Sequence, residues 1–262
     1  MEFEQISIFD LFNDSKAKPF KINKPVRLIE AFGGIGAQAL ALEVLGVPFT
    51  HHRLIEFDKY PVKSYNAIHH TDFEPTDIRD VHGKDLGITE KDKYCYIFTY
   101  SFPCQDISVA GLGKGFSKDN QMGENATRSG LLWEVERILT ELQVARMDKP
   151  DVLVMENVPA IHSSKNIKDF EQWLAFLESI GYTNFWQDLN AADFGIPQSR
   201  NRTFCVSLLG NYDYKFPEPI ELKATMRDYL DAKVDDKYYI KSDRSKKLID
   251  QLFENGTLPI SR

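Results

Sequence analysis

The sequence predicts a doubly wound, mainly parallel α/β sheet. Three observations carry that expectation. Short apolar strand-like runs alternate with segments of helical period, which is the pattern of parallel sheets joined by crossover helices. A glycine-rich turn, Gly33 to Gly36, stands between the first such strand and the first such helix. The length, 262 residues with 42% apolar and 27% charged residues, suits one large domain or one domain plus an appendage.

Taken in order, residues 1–24 read as an extension with a small apolar patch (Ile6, Ile8, Phe9, Leu11 and Phe12) that packs on the main domain. Pro25 opens Val26 to Phe32, a buried strand. Ala37 to Leu45 reads as a helix stopped by Gly46. His51 to Phe57 is a second strand, and Lys59 to His69 a helix that tolerates Pro61 in its first turn. A short strand is expected near Asp72 to Ile78. Tyr94 to Tyr100 is a strand rich in aromatic residues. Gly130 to Ala145 is a helix with an apolar face, Asp151 to Met155 a buried strand, and Lys168 to Ile180 a helix ended by Gly181. Phe185 to Leu189 and Thr203 to Leu209 read as the last strands. Residues 25–210 thus form the main domain. Residues 211–262 differ: they are richer in charge, contain Pro217 and Pro219, and hold one amphipathic segment, Lys241 to Leu252. They read as a C-terminal appendage.

Composition excludes several classes. No apolar run reaches membrane-spanning length. The start, Met1 to Asp10, lacks the basic and apolar stretches of a secretory signal. Three cysteines without a CxxC pair fit a reducing, cytoplasmic compartment. The net charge of −7 argues mildly against a self-sufficient DNA grip, since phosphate binding calls for a positive surface.

The glycine turn carries the first chemistry. Gly34-Ile35-Gly36 follows a strand and opens a helix, the setting of a nucleotide or adenosyl cofactor loop. Glycine lets the backbone turn sharply and a ligand come close. Glu56 lies 20 residues beyond Gly36, at a strand end where a carboxylate accepts ribose hydroxyls, and Phe57 beside it offers a face for adenine. By itself the motif also fits a plain turn, or an NAD site with Ala39 at the third glycine position.

Ligands of an open parallel sheet bind beyond the carboxyl ends of its strands. Cys104 follows the aromatic strand, in Ser101-Phe102-Pro103-Cys104-Gln105, and Glu156 follows DVLVM, in Glu156-Asn157-Val158. Both therefore fall on the edge that holds the glycine turn. Cys95 and Cys205 lie within strands and read as small buried hydrophobes.

Here a family resemblance enters. Phe102-Pro103-Cys104-Gln105, Glu156-Asn157-Val158 and Gln198-Ser199-Arg200-Asn201-Arg202 resemble three signature motifs of the C5-cytosine DNA methyltransferases, in the family's order. Ala31 to Gly36 resembles the cofactor loop, with Ala37 where a third glycine is common, and Asp193 to Pro197 also matches. The likeness covers roughly residues 26–210 and is nearest to phage and bacterial members.

The resemblance implies a Rossmann-like fold that uses S-adenosylmethionine and no metal. It implies that the Cys104 thiolate attacks carbon 6 of cytosine, so that carbon 5 takes the methyl group. Glu156 would donate a proton at the ring nitrogen. Arg202 and Arg200 would contact the base carbonyl and orient Cys104. Phe32, Gly34, Ile35, Gly36, Glu56, Phe57, Asp77, Ile78, Pro103 and Leu131 would border the cofactor. Double-stranded DNA would be the partner, with the target base flipped out of the helix. The long loop Gly111 to Gly130 would close over it, with Lys114, Lys118 and Arg128 near phosphate.

Family members usually continue into a target-recognition region and a last segment that completes the cofactor pocket. Neither is legible in residues 211–262. The reading implied is a catalytic part, completed by a second chain in a split enzyme, left truncated and inactive, or made sufficient by the appendage itself. A restriction–modification setting fits the bacterial likeness. An RNA cytosine methyltransferase is less favoured, because the tRNA-acting branch usually has a second proline where this chain has Phe102. The paired histidines His51-His52 and His69-His70 read as structural or surface residues, because adjacent side chains diverge on strand and helix alike.

Overall fold

The computed structural model describes residues 17–104, 107, 116 and 128–256. A two-residue strand β1 (Lys18–Pro19) precedes the main sheet. Then come β2 (Val26–Ala31), helix α1 (Ala37–Val44), β3 (Phe49–Ile55), α2 (Lys59–His69), β4 (Cys95–Tyr100), α3 (Leu132–Val144), β5 (Val152–Asn157), α4 (Ile167–Ser179), β6 (Tyr182–Asn190) and β7 (Asn201–Leu209). Strand β8 (Tyr212–Asp213) and helix α5 (Asp243–Glu254) complete the described elements.

The six long strands form one sheet in the order β3-β2-β4-β5-β7-β6. β3, β2, β4 and β5 run parallel. β7 pairs antiparallel with β5 on one side and β6 on the other, so it is the one reversed strand. The chain leaves β2 toward β3 and returns to β4 on the opposite side. That reversal opens a crevice at the carboxyl ends of β2 and β4.

Alternation within strands sends side chains to two faces. Tyr96, Phe98 and Tyr100 join a large core with Trp133, Trp173 and Phe170 from α3 and α4. Cys95 and Ile97 join Val26, Leu28, Val206 and Leu208 on the other face, with Ala39 of α1. Both faces are thus covered, as a parallel sheet requires.

Local signals set the helix ends. Asp58 caps α2 by accepting from Tyr60 N at 2.8 Å, and His70 ends it in the left-handed region. Gly46 and Gly181, with φ of 64° and 97°, follow the ends of α1 and α4.

The expected strand near Asp72 to Ile78 is absent. This stretch is irregular and ends in a 3-10 turn, Ile78–Asp80. Pro75 offers no backbone donor to a sheet. Asp77 instead caps the turn, accepting from Arg79 N at 2.9 Å. The other elements lie where expected, with shifts of a few residues.

Residues 211–256 are built differently. β8 pairs parallel with β1, so the end of the N-terminal extension is tied to the start of the appendage. Phe20 packs edge-on against Tyr212, their ring centroids 4.9 Å apart. Beyond this the appendage holds two 3-10 turns and α5, and none of its described residues is buried. The apolar patch at Ile6 to Phe12 lies outside the described residues.

Candidate active site

The crevice at the carboxyl edge contains a cavity of about 740 Å³. Seven of the ten residues expected to border a cofactor line it: Phe32, Glu56, Phe57, Asp77, Ile78, Pro103 and Leu131. Gly34, Ile35 and Gly36 are not among the residues that line it. Phe32, Gly34 and Gly36 take φ of 56°, 56° and 84°, so the chain turns sharply after β2. A Cβ on Gly36 would stand 2.3 Å from Nε2 of His69, so no larger residue fits there.

Glu56 anchors the loop. Its Oε2 accepts from Gly34 N at 3.1 Å, and its Oε1 from Asp58 N at 3.0 Å. A carboxylate offers about four acceptor sites, so two backbone donors leave capacity for a ligand. Phe57 is 71% exposed and stands free at the cavity wall.

Asp77 enters from the turn after α2. Arg79 holds it through Nε at 3.0 and 3.1 Å and Nη2 at 2.5 Å. These bonds keep the Asp77 carboxyl below its ordinary range. Thr76, Arg79, Ser101, Gly130 and Glu134 also line the cavity and were not foreseen. Arg79 was the findable one, since a basic residue two positions from a candidate carboxylate invites such a pair.

The nucleophile loop and the acid strand are joined directly. Asn157 is buried, and its Nδ2 donates to the Phe102 carbonyl at 3.0 Å. Its own Oδ1 accepts from Val158 N at 2.9 Å. One amide therefore fixes the backbone two residues before Cys104 to the residue after Glu156. On the other side, Gln38 of α1 donates to Ser101 Oγ at 3.2 Å. Asn157 has a positioning role that the motif hid between two more conspicuous neighbours.

The three cysteines divide as expected. Cys104 is half-buried beside the cavity wall at Pro103, while Cys95 and Cys205 are buried. Burial pushes both of the latter thiols up to about 12, which holds them protonated and inert.

Both candidate arginines reach Glu156. Arg202 Nε lies 3.0 Å from Glu156 Oε1, and Arg200 Nη2 lies 3.9 Å from the same oxygen. The antiparallel register explains this: Asn157 of β5 faces Thr203 of β7, so Arg202 stands just past the end of the acid strand. The structure thus groups the arginines with the acid. Lys114, Lys118 and the side chain of Arg128 lie outside the described residues, as does most of the loop Gly111 to Gly130. Four positions of that loop are described, Phe116 and residues 128–130. Phe116 is buried, and its carbonyl accepts from Trp133 Nε1 at 2.6 Å. Arg128 opens a 3-10 turn leading into α3.

The paired histidines behave in a way sequence did not show. His52 Nε2 turns to the carbonyls of Leu86 and Gly87, at 3.1 and 3.2 Å. His51 and His69, from different pairs, meet with ring centroids 5.0 Å apart. No helix among the described residues is long and apolar enough to cross a membrane.

Comparison with known proteins agrees with this geometry. The type II methyltransferase M2.ScrFI of Lactococcus lactis subsp. cremoris is 35% identical over 267 residues, covering 84% of this chain and 71% of that one. The orphan methyltransferase M.SssI of Spiroplasma monobiae is 43% identical over 150 residues, covering 56% of this chain but 36% of that one. The crystal structure of the S. pombe Dnmt2 methyltransferase superposes with a TM-score of 0.64 at 21% identity, over 86% of this chain and 66% of that one. Residues 26–255 match the C-5 cytosine-specific DNA methylase family, which carries the likeness past residue 210 into the appendage. The chain belongs to the C-5 cytosine-specific DNA methylase family.

Proposed function

We propose that this chain is the catalytic part of a DNA (cytosine-5-)-methyltransferase, transferring methyl from S-adenosylmethionine to carbon 5 of a flipped cytosine. The observation that carries this reading is the joining of Cys104, Glu156 and the cavity at one sheet edge through Asn157.

The residues present fit the cofactor. A cavity of about 740 Å³ lies within the usual range for small-molecule sites, roughly 300–1,000 Å³. Glu56 has free acceptor capacity for ribose hydroxyls, Phe57 offers an aromatic face, and Ile78 and Leu131 supply apolar walls. When bound, S-adenosylmethionine supplies a methyl group made electrophilic by its sulfonium.

The chain's own residues then do the following. Cys104, as thiolate, adds to carbon 6 of the flipped base and makes carbon 5 electron-rich; after methyl transfer a base takes the carbon-5 proton and the bond from Cys104 to carbon 6 breaks by elimination, which frees the thiolate. Glu156 gives a proton at the ring nitrogen, which relieves the charge that this addition builds. Arg202 and Arg200 hold Glu156 in place and stand ready for the base carbonyl. Asn157 keeps the nucleophile loop at a fixed distance from the acid. No metal is required by these steps.

A second reading starts from coverage. The chain spans 71% and 36% of the two relatives described, and residues 211–256 bury none of their side chains. Turnover would then depend on a further segment or second chain that reads double-stranded DNA and completes the cofactor pocket. The setting would be a bacterial or phage restriction–modification system in a reducing cytoplasm, which suits three unpaired cysteines.

The test is transfer of labelled methyl from S-adenosylmethionine by this chain, with mixed-sequence DNA and tRNA in parallel. Label at carbon 5 of cytosine in DNA is the expected result, and label confined to tRNA would overturn the substrate. Cys104→Ser should abolish covalent trapping on DNA containing 5-fluorocytosine. Cys95→Ser and Cys205→Ser should leave trapping intact. A surviving adduct in Cys104→Ser would refute the assignment of the nucleophile.

A further inference from the structure

Beside the glycine loop, three elements bring metal-binding groups together. Glu43 comes from α1, His51 from β3 and His69 from α2, and one ligand atom from each lies within 4.8 Å of the other two. The His69 side chain is fully shielded, whereas that of Glu43 is 45% exposed, so the cluster opens to solvent on one side.

Hydrogen bonds decide which ring nitrogens are left to bind. Nε2 of His69 lies 3.0 Å from the Ile35 carbonyl, which only accepts, so Nε2 carries the proton. Nδ1 then faces Glu43 Oε1 at 3.3 Å. In a neutral ring that Nδ1 is a lone pair turned toward a carboxylate. Something positive must lie between them, a proton or a shared cation.

His51 is set in the same manner. Its Nδ1 is 2.7 Å from the Tyr65 hydroxyl, whose proton goes to Glu30 Oε2 at 2.5 Å. Nδ1 of His51 therefore donates, and Nε2 keeps its lone pair. Each imidazole is thus oriented by an acceptor on its far nitrogen, as metal-bound histidines almost always are.

We propose that Glu43, His51 and His69 form a binding site for one zinc ion, with a fourth position open to solvent. Two imidazoles and a carboxylate are a known zinc donor set. The site takes no part in methyl transfer. It lies against the loop instead, because the ring that would bind the ion also holds the Ile35 carbonyl and fills the space beside Gly36. A bound ion would clamp α1, β3 and α2 beside the cofactor loop.

The experiment uses the full chain without an affinity tag, carrying Cys104→Ser so that no half-buried thiol competes for zinc. After chelator treatment, zinc uptake is measured by equilibrium dialysis and the melting temperature with and without zinc. One zinc per chain is expected, with a raised melting temperature from binding to the folded state. Glu43→Gln and His51→Gln should each weaken uptake at least tenfold. Glu43 is exposed, so its variant should melt like the parent when metal is absent. Cobalt(II) in place of zinc should give the visible bands of a tetrahedral site in the parent only. No uptake by the parent, or equal uptake by parent and both variants, would overturn the site and leave the cluster holding a proton.

Discussion

Residues 26–209 and residues 211–256 share one chain but follow different physics. In the first region the four inner strands are largely buried on both faces, and Trp173, Phe98, Tyr100 and Phe116 are fully enclosed. In the second no described residue is buried, although α5 is well capped by Ser242 accepting from Ser245 N at 3.2 Å. Leu230, Tyr238, Ile240, Leu248 and Phe253 all stand exposed. Capping and helical period are local signals, and they formed the helix. Burial is a property of partners, and no described residue buries α5. The difference teaches that the sheet carries its own stability, while the described part of the appendage touches its core only through Tyr212, Tyr214 and Phe216 and beyond them has local form without buried residues.

The largest expected effect breaks the molecule along that line. Trp173→Ala should cost about 3–5 kcal/mol, because it empties a fully packed aromatic site beside Tyr100 and Trp133. Phe253→Ala, at a residue 43% exposed, should stay within about 0.5 kcal/mol. Denaturant unfolding of both variants checks this. An equal loss in the two would mean that α5 is packed on the main domain in solution.

How far sequence reasoning reached follows the same division between local and distant signals. The glycine loop, Cys104 and Glu156 were legible because each motif is contiguous and sits at a strand end. The mainly parallel class follows from alternation, but the strand order and the reversal of β7 have no local mark, since a run of apolar residues reads the same in either direction. The grouping of Arg200 and Arg202 with Glu156 depends on that reversal. The meeting of Glu43, His51 and His69 was illegible for the same reason: adjacent histidines diverge, and only the packing of α1 and α2 against β3 brings unlike pairs together. The expected strand near Asp72 failed because a polar side chain, Asp77, offered the backbone a turn instead.

A pair of glycines sharpens the comparison. Gly36 and Gly256 both have positive φ, at 84° and 67°. A Cβ on Gly36 would meet His69 and Tyr65 at 2.3 and 2.7 Å, whereas one on Gly256 would meet nothing within 4 Å. Gly256→Ala should therefore cost only the left-handed backbone penalty, about 1–2 kcal/mol, felt at the frayed end of α5. Gly36→Ala adds overpacking of roughly 1–3 kcal/mol and displaces the loop. Its readouts are a lowered melting temperature and weakened S-adenosylmethionine binding by calorimetry. Unchanged binding in Gly36→Ala would show that the loop tolerates displacement.

The smallest effect compares two carboxylates, one in each region. Asp77 is held low by Arg79, and Asp228 by the backbone N–H and hydroxyl of Thr225. For each, the folded carboxyl titrates below the unfolded one. The stabilisation is therefore present above the unfolded value, about 3.9 for aspartate, and is lost as pH falls through the folded value. Arg79 is 65% exposed, so its pair with Asp77 should be worth no more than about 1 kcal/mol after screening by solvent. Carboxyl titration followed by NMR should place both aspartates low in the parent. In Arg79→Ala, Asp77 should move up while Asp228 stays, because Thr225 holds Asp228 without help from any other region. If Asp77 remained low, the backbone cap from Arg79 N would be its main support, and the wall of the cavity at Asp77 would be set by the turn alone.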